Sequence, residues 1–561
     1  MHWAYEYANE IKKTINERKD EKKKEAIIAA GTSPSGTVHI GNFRDIVTAY
    51  FICKALKEQE IDAKLLFSWD DYDRLRKVPA NIKEKRDFFE TQIGKPYTEI
   101  PSPFNDGISY GRHFEKEYEE SLKKIGIIPD IIRYQTEEYK SGRYTEGVQV
   151  ALKDRKKIYD ILAKHRTQKP TEEERESYYP LSVYCSCCGK DNTSIINFDG
   201  ECIVTYHCND CGIDESFNIF EKTNYKLPWK VDWPMRWKEE GICLEPGGTD
   251  HAAEHGSYVV SKEIAKSVYG YEAPKFVPYS FIGIKGLGVK MSSSSGINIS
   301  LESLLQVYSP EMIFWLFAKR QLSDEFKIDL GKEVPRVYRE FDRFKKEYYE
   351  NPENADEQTK QIISLISEEK KYEDLIPFDK LATLYGASNK NLTIMSEMIK
   401  KLGLKTSNSK AFKDRLSRVF YWAEIYSPES IISINREPAT EYFDQMADDQ
   451  KKYLNKFYIT LGDADSLSEE EIRQKLYGLP KSRTDEEVTP ELKKTQRQIF
   501  KDLYNLMISS DNGPALSTLI KAIGTEKVKH LIEPLIKKYN IEQKINNREE
   551  RWLCIIGLAI N

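Results

Sequence analysis

The chain has 561 residues, 40% hydrophobic and 31% charged, with a formal net charge of -5. That length and balance mark an ordinary soluble protein of roughly three or four domains. No run approaches the roughly 18 apolar residues of a membrane span, and Met1 to Lys24 lacks the apolar stretch of a secretory signal, so neither membrane insertion nor secretion is expected. Six of the nine cysteines fall between Cys185 and Cys211, a distribution foreign to a secreted disulfide framework, and a reducing cytoplasm fits it better. The small negative charge leaves any nucleic-acid contact to a local basic face, while Lys22-Lys23-Lys24 and Lys153-Asp154-Arg155-Lys156-Lys157 read as solvated helix faces.

After the charged leader, Glu25 to Gly31 (EAIIAAG) is a short apolar run that predicts a buried strand, and Thr32-Ser33-Pro34-Ser35-Gly36 predicts the loop after it. From His39 onward Ile40, Phe43, Ile46, Val47, Tyr50, Phe51 and Leu56 recur at near-helical spacing, and Ala63 to Phe67 reads as a second strand. A strand, a tight loop and a helix amino terminus make an anion site, because unpaired N–H groups and the helix dipole favour phosphate. The first 70 residues therefore read as half of a nucleotide-binding α/β sheet. The second half comes much later: Gly247-Gly248-Thr249-Asp250-His251 precedes a helical stretch to about Tyr269, and Lys275 to Ile284 is strand-like.

Between the halves, residues 111–226 read as an insertion of charged helical segments followed by Cys185-x2-Cys188, a gap of 19 residues, and Cys208-x2-Cys211. That count and spacing are those of a zinc ribbon, here 183–213, and four thiolates make a closed structural site. Cys187 and His207 stand close enough in sequence to leave the ligand choice open. Beyond about Ser300 the pattern is helical almost throughout; Ile499, Phe500, Leu503, Tyr504, Met507 and Ile508 fall on one face, ending before Asn512-Gly513-Pro514.

Two short segments carry the chemistry. His39-Ile40-Gly41-Asn42 opens the first helix, and Lys290-Met291-Ser292-Ser293-Ser294 lies in a glycine-flanked stretch after the second half of the sheet. Together they resemble the His-Ile-Gly-His and Lys-Met-Ser-Lys-Ser signatures of class I aminoacyl-tRNA synthetases, in the right order and setting. Asn42 replaces the second histidine and keeps a side-chain donor; Ser293 replaces the second lysine and removes one charge. The resemblance implies a split Rossmann-like α/β catalytic domain with a zinc-ribbon insertion and an all-α C-terminal domain. It implies ATP as substrate with Mg²⁺, and His39, Asn42, Lys290, Ser292 and Ser293 as catalytic residues. Ser35, Gly36, Gly41, Gly248, Asp250 and Met291 fall at ATP positions.

The segments Ser68 to Pro79, Ile93 to Pro96 and Trp229 to Trp237 narrow the resemblance to the class I lysyl-tRNA synthetases. Glutamyl-tRNA synthetases place an arginine just before the Pro-Ser-Pro-Thr-Gly loop, where this chain has Ala29. A lysine ammonium needs carboxylates, a hydroxyl or an aromatic face, and the candidates are Asp45, Asp70, Asp71 and Asp73 with Tyr279 and Trp229. By resemblance Gly31, Ser33, Trp229, His251 and Tyr279 fall at substrate positions. Capping or salt bridging competes with ligand contact for each aspartate, and core packing competes for Trp229 and Tyr279. A further zinc site of the family, after Gly94-Lys95-Pro96, is expected to be absent, since Ser102, Asp106 and Gly107 stand where ligands are needed and His113 alone matches.

The resemblance divides the chain into residues 1–110 (leader and first half of the Rossmann-like sheet), 111–226 (insertion), 227–299 (second half with the signature loop), 300–345 (stem contact) and 346–561 (helical anticodon-binding region). The expected partners are tRNA(Lys), L-lysine and ATP, without membrane, acting on a monomer. The competing readings are a synthetase of this class for another amino acid such as glutamate, and a non-catalytic tRNA-binding relative. A zinc-ribbon nucleic-acid module would explain the cysteines alone.

Overall fold

Ala26–Thr32 (AIIAAGT) contains no charge and is buried nearly along its whole length, the pattern of a strand covered on both faces. In the computed structural model, which describes residues 1–17, 25–79, 82, 85–166, 170–285, 299–367, 371–462, 464–481 and 489–558, with Ile284 and 544–558 in backbone only, it is strand β1. It pairs in parallel with β2 (Ala63–Trp69) on one side and β9 (Ile242–Gly248) on the other. With β3 (Ile131–Tyr134) and β10 (Lys275–Tyr279) they form an all-parallel sheet in the order β10-β9-β1-β2-β3. The order reverses between β1 and β9. In doubly wound sheets the crevice at the carboxyl ends of such a pair takes the ligand.

The helix expected from His39 is α2 (Ile40–Glu58). Its apolar residues are not confined to one stripe, so it is buried on more than one side. It packs between the sheet and α1 (Trp3–Asn16). Arg44, buried within it, donates to the carbonyls of Ser280 at 2.6 Å, Asp324 and Leu322 at 3.0 Å, and Gln321 at 3.2 Å. No carboxylate is among these four partners.

Two expectations are corrected here. The run Lys275 to Ile284 is not one strand: Ser280 N–H donates to Leu322 O at 2.9 Å, which diverts the backbone from the sheet, and β11 (Ile282–Ile284) pairs instead with β12 (Phe326–Ile328). β3 lies inside the segment expected as insertion, yet belongs to the main sheet; four residues with an arginine among them leave too little period to read. The helical stretch to Tyr269 is an α-helix over Ser257–Ile264 that widens into a π turn over Ala265–Tyr269.

The remainder of the insertion holds helices from Tyr110 to Ser177, a two-stranded ladder of β4 (Ser182–Val183) with β8 (Tyr225–Lys226), and an antiparallel sheet of β5 (Thr193–Phe198), β6 (Ile203–Cys208) and β7 (Asp214–Asn218). Trp69 and Trp237 are completely buried in the first unit, each worth roughly 1.5–3 kcal/mol or more of transfer free energy. By contact clustering the chain forms two compact units, Met1–Asp329 with Phe344–Lys371, and Leu330–Arg343 with Tyr372–Asn561. The second unit is helical. Within it Arg415 forks onto Asp342 at 2.6 and 2.9 Å, and the predicted stripe lies on the helix Pro490–Ile508, with Ile499, Leu503, Met507 and Ile508 buried. Among the described residues no helix is long and apolar enough to cross a membrane.

Candidate active site

A cavity of about 250 Å³ opens at the carboxyl ends of β1, β2, β3 and β9, at the place where the strand order reverses. The substrate candidates Gly31, Asp45, Asp70 and Trp229 line it, as do His251 and Tyr279 from the second half of the sheet. Asn42 and Gly248 also line it, whereas Ser33, Ser35, Gly36, Gly41, Asp73, Asp250 and His39 do not. Four of the buried polar atoms left without a partner belong to its wall: Asn42 Oδ1, Gln135 Oε1, Tyr144 OH and Arg236 Nε. Each such atom costs roughly 1–3 kcal/mol unless a ligand or water meets it, so their concentration here marks a binding site.

The first signature segment is built around its own helix start. His39 is the N-cap of α2, and its Nδ1 accepts from Gly41 N–H at 3.0 Å. An imidazole committed in this way keeps its proton on Nε2. A Cβ on Gly41 would stand 2.8 Å from that ring, so the His39 cap itself requires glycine here. Asn42 Nδ2 donates to Thr32 Oγ1 at 3.1 Å, tying the helix to the end of β1. Lys290, Met291, Ser292 and Ser293 lie outside the described residues. The chain that follows them returns to the first signature: Ile40 N–H donates to Ile299 O at 2.9 Å, and His39 and Ser300 form an isolated bridge. Ser35 O accepts from Tyr110 O–H at 2.8 Å, which anchors the loop from the insertion side.

The cavity wall carries four acids, Asp45, Asp70, Glu240 and Glu245, and two arginines. Arg133 holds Glu240 through two nitrogens at 2.9 and 3.2 Å, and Arg236 holds Asp70 at 2.6 Å. Asp45 and Glu245 form no ion pair among the described residues. Asp45 accepts from Gly31 N–H at 3.1 Å and Tyr279 O–H at 3.0 Å. Glu245 Oε2 accepts from the indole N–H of Trp237 at 2.7 Å and of Trp233 at 2.9 Å. Burial pushes the Asp45 carboxyl well above its ordinary range and the Glu245 charge adds to it, against the Gly31 and Tyr279 donors. Burial likewise carries Glu245 up to about 7, against the two indoles. A cation entering between them would restore both charges.

Aromatic faces complete the wall. Trp229 and Trp233 stack with ring centroids 4.8 Å apart, and the Arg236 guanidinium lies 5.6 Å from the Trp229 ring. Asp71 turns away into the protein and accepts from Thr136 N–H at 2.9 Å. Asp73 pairs with Lys226. Ala29, at the position where a glutamate site would need an arginine, also lines the cavity.

The sequence over residues 1–369 matches the family model described as tRNA synthetases class I (K). This chain belongs to that family. Its relatives include proteins named lysine–tRNA ligase from Borrelia garinii subsp. bavariensis, 32% identical over 96% of this chain and 99% of that protein, and from Pyrococcus horikoshii, 34% identical over 93% and 97%. A third, from Streptomyces coelicolor, is 32% identical over 94% of this chain and 98% of its own length. The chain is accordingly an aminoacyl-tRNA synthetase, with the parallel sheet and helical C-terminal region that the family's fold requires.

A second constellation lies in the insertion. The sulfur atoms of Cys185, Cys188, Cys208 and Cys211 are all within 4.8 Å of one another, with Cys185–Cys211 at 3.6 Å and Cys188–Cys208 at 3.7 Å. Tetrahedral coordination at about 2.3 Å requires sulfurs roughly 3.8 Å apart, so the donor set fits one zinc ion. Cys187 is exposed and His207 Nδ1 faces Asp214 at 2.7 Å, so neither belongs to the cluster. Near the other family zinc position, His113 Nδ1 pairs with Asp106 at 2.5 Å.

Sequence reasoning passed over Glu245, Arg236, Gln135 and Trp233. Two signals were present. A lone glutamate in the apolar run Ile242 to Gly247 announces a buried charge, and Asp232–Arg236 with Trp229–Trp233–Trp237 repeats at i,i+4 on one short helix, Trp229–Glu240.

Proposed function

We propose that this enzyme activates L-lysine with ATP to lysyl-adenylate and transfers the lysyl group to the 2′-hydroxyl of the terminal adenosine of tRNA(Lys). The observation that carries the reading is the cavity at the sheet's reversal point, where Asp45 and Glu245 form no ion pair among the described residues. A ligand ammonium supplies the missing charge; a glutamate side chain would add a third. Asn42 Oδ1 and Gln135 Oε1 are acceptors without donors, and the two ammonium groups of lysine bring six N–H bonds.

In the first step an oxygen of the lysine α-carboxylate bonds to the α-phosphorus and the bond to the β-phosphate oxygen breaks, releasing pyrophosphate. An ionised carboxylate needs no general base, so rate comes from alignment and from charge placed on the phosphates. His39 presents Nε2–H at the amino terminus of α2, beside Asn42; Lys290, with Ser292 and Ser293, contributes the cation and hydroxyls. Ser35, Gly36, Gly41, Gly248, Asp250 and Met291 receive the ATP, with Gly248 and Asp250 near its adenosine. Gly31, Ser33, Asp45, Asp70, Trp229, His251 and Tyr279 receive the amino acid. Mg²⁺ bound with ATP would supply positive charge against the phosphates. Cys185, Cys188, Cys208 and Cys211 hold one structural zinc in the ribbon, which fastens the insertion and takes no part in the chemistry. Residues 346–561 bind the anticodon arm, and the enzyme works in the cytoplasm.

The test is amino-acid-dependent ATP–pyrophosphate exchange with each standard amino acid, with and without tRNA. Exchange with lysine alone is expected; exchange with glutamate instead would overturn the assignment.

A further inference from the structure

Behind the cavity wall lie five ionisable side chains from three segments. Arg236 Nη1 donates to Asp70 Oδ1 at 2.6 Å, and Nη2 donates to Asp232 Oδ2. Lys226 pairs with Asp73 and stands 3.9 Å from Asp232. Asp232 is 0% exposed, Arg236 5% and Lys226 6%, so solvent screens these charges little. The Tyr139 hydroxyl completes the shell of Asp232 at 2.5 Å and accepts from Leu227 N–H at 3.2 Å.

Three acids and two cations leave the group one positive charge short. Only Asp70 and Arg236 reach the cavity, so the shortfall is presented there, at Asp70. How it is presented depends on Lys226. Asp73 and Asp232 both attract Arg236, and Lys226 satisfies Asp73. Without that ammonium the cations left to act on Asp73 are Arg236 and, more weakly, Arg76, and drawing Arg236 inward would release Asp70 from its place. Lys226 comes from the insertion: it is the last residue of β8, opposite Ser182 of β4, two strands that lead into and out of the cysteine ribbon. It is paired with Asp73 and stands beside Asp232, so its chemistry is that of a fixed charge.

We propose that Lys226 is a positioning residue for amino-acid recognition: by neutralising Asp73 it leaves Arg236 to hold Asp70 against the cavity. The inference rests on the reading of that cavity as the lysine site. It makes the insertion part of the specificity apparatus through a single partly buried ion pair, without contact between Lys226 and the amino acid.

The experiment measures lysine-dependent ATP–pyrophosphate exchange on the full-length enzyme carrying Lys226→Met, Lys226→Arg, and Lys226→Met combined with Asp73→Asn. Lys226→Met is expected to raise KM for lysine on the order of 10-fold, a coupling ordinary for neighbouring buried charges, while KM for ATP stays within about twofold. Lys226→Arg should remain near wild type, and the double variant should return KM for lysine to within about threefold, since Asp73→Asn removes the charge that competes for Arg236. If Lys226→Met does not yield folded protein, Lys226→Gln, which keeps a donor without the charge, is expected to give the same rise. A side chain serving only the fold would lower active yield without moving KM, and Asp73→Asn would not repair it. Unchanged KM for lysine in a folded variant, or equal rises for lysine and ATP, overturns the inference and leaves the reading of the cavity intact. A wild-type enzyme that exchanges with another amino acid and not with lysine overturns both.

Discussion

The cysteine cluster and the cavity at the sheet's reversal point are both places where this chain gathers acidic groups, and they resolve them in opposite ways. In the ribbon four like ligands, two from each of two tight turns, converge to 3.6 and 3.7 Å so that one cation satisfies all of them. In the cavity the acids are distributed among separate partners: Asp70 to Arg236, Glu240 to Arg133, Asp45 to a hydroxyl and an amide, Glu245 to two indoles. The first arrangement is complete once its ion is bound. The second is left incomplete, and on the proposed reading the ammonium of lysine completes it.

The comparison is broken most forcefully at the ribbon. Cys208→Ser removes one of four thiolates, and loss of the zinc with destabilisation of several kcal/mol is expected, given the roughly 10–16 kcal/mol of apparent binding free energy that structural zinc supplies in small modules. Metal analysis and thermal unfolding check it. Cys187→Ser, outside the cluster, should retain the metal at about one per chain.

At the cavity the effect is smaller and depends on pH. Glu245, raised to about 7, is protonated in the free enzyme below that pH and ionised above it. A bound ammonium requires the ionised form, so kcat/KM for lysine should rise with pH through about 7. Glu245→Gln should flatten that limb and raise KM for lysine roughly 10-fold at pH 8, the loss of one charge-assisted hydrogen bond. A rising limb that survives in Glu245→Gln would assign the titration to another group.

The smallest effect is expected where the ribbon meets the loop that carries Asp70. Arg74 pairs with Asp191 at 2.9 Å, but its side chain is 47% exposed. Arg74→Ala should cost less than about 1 kcal/mol, read as a shift of a few degrees in melting temperature. A large loss would mean that this surface pair, and not the zinc alone, fastens the insertion.

The parts of the molecule that were legible beforehand are those whose causes are local. EAIIAAG predicts a strand because a short, almost wholly apolar run suits a strand covered on both faces, and it is found over Ala26–Thr32. The start of α2 at His39 follows from the loop that precedes it. The thiol cluster is readable because each half is a tight turn whose spacing already points two sulfurs the same way. β3 was not readable, since four residues with an arginine have no period, nor was the break at Ser280, which depends on an amide–carbonyl bond to Leu322, 42 residues away.

The aspartates draw the line most clearly. By itself the sequence determined the parallel sheet, the nucleotide-type loop, the cysteine set and the presence of acids between Asp70 and Asp73, because composition and short-range period decide those. Only the tertiary structure decided what each acid does: Asp71 caps Thr136, Asp73 is committed to Lys226, Asp70 faces the cavity under the hold of Arg236, and Glu245 joins Asp45 as a carboxyl with no ion pair among the described residues. Whether a carboxylate is free for a ligand depends on which cations stand within a few ångströms of it, and these come from positions 226 and 236, brought together with residues 70 to 73 by the fold.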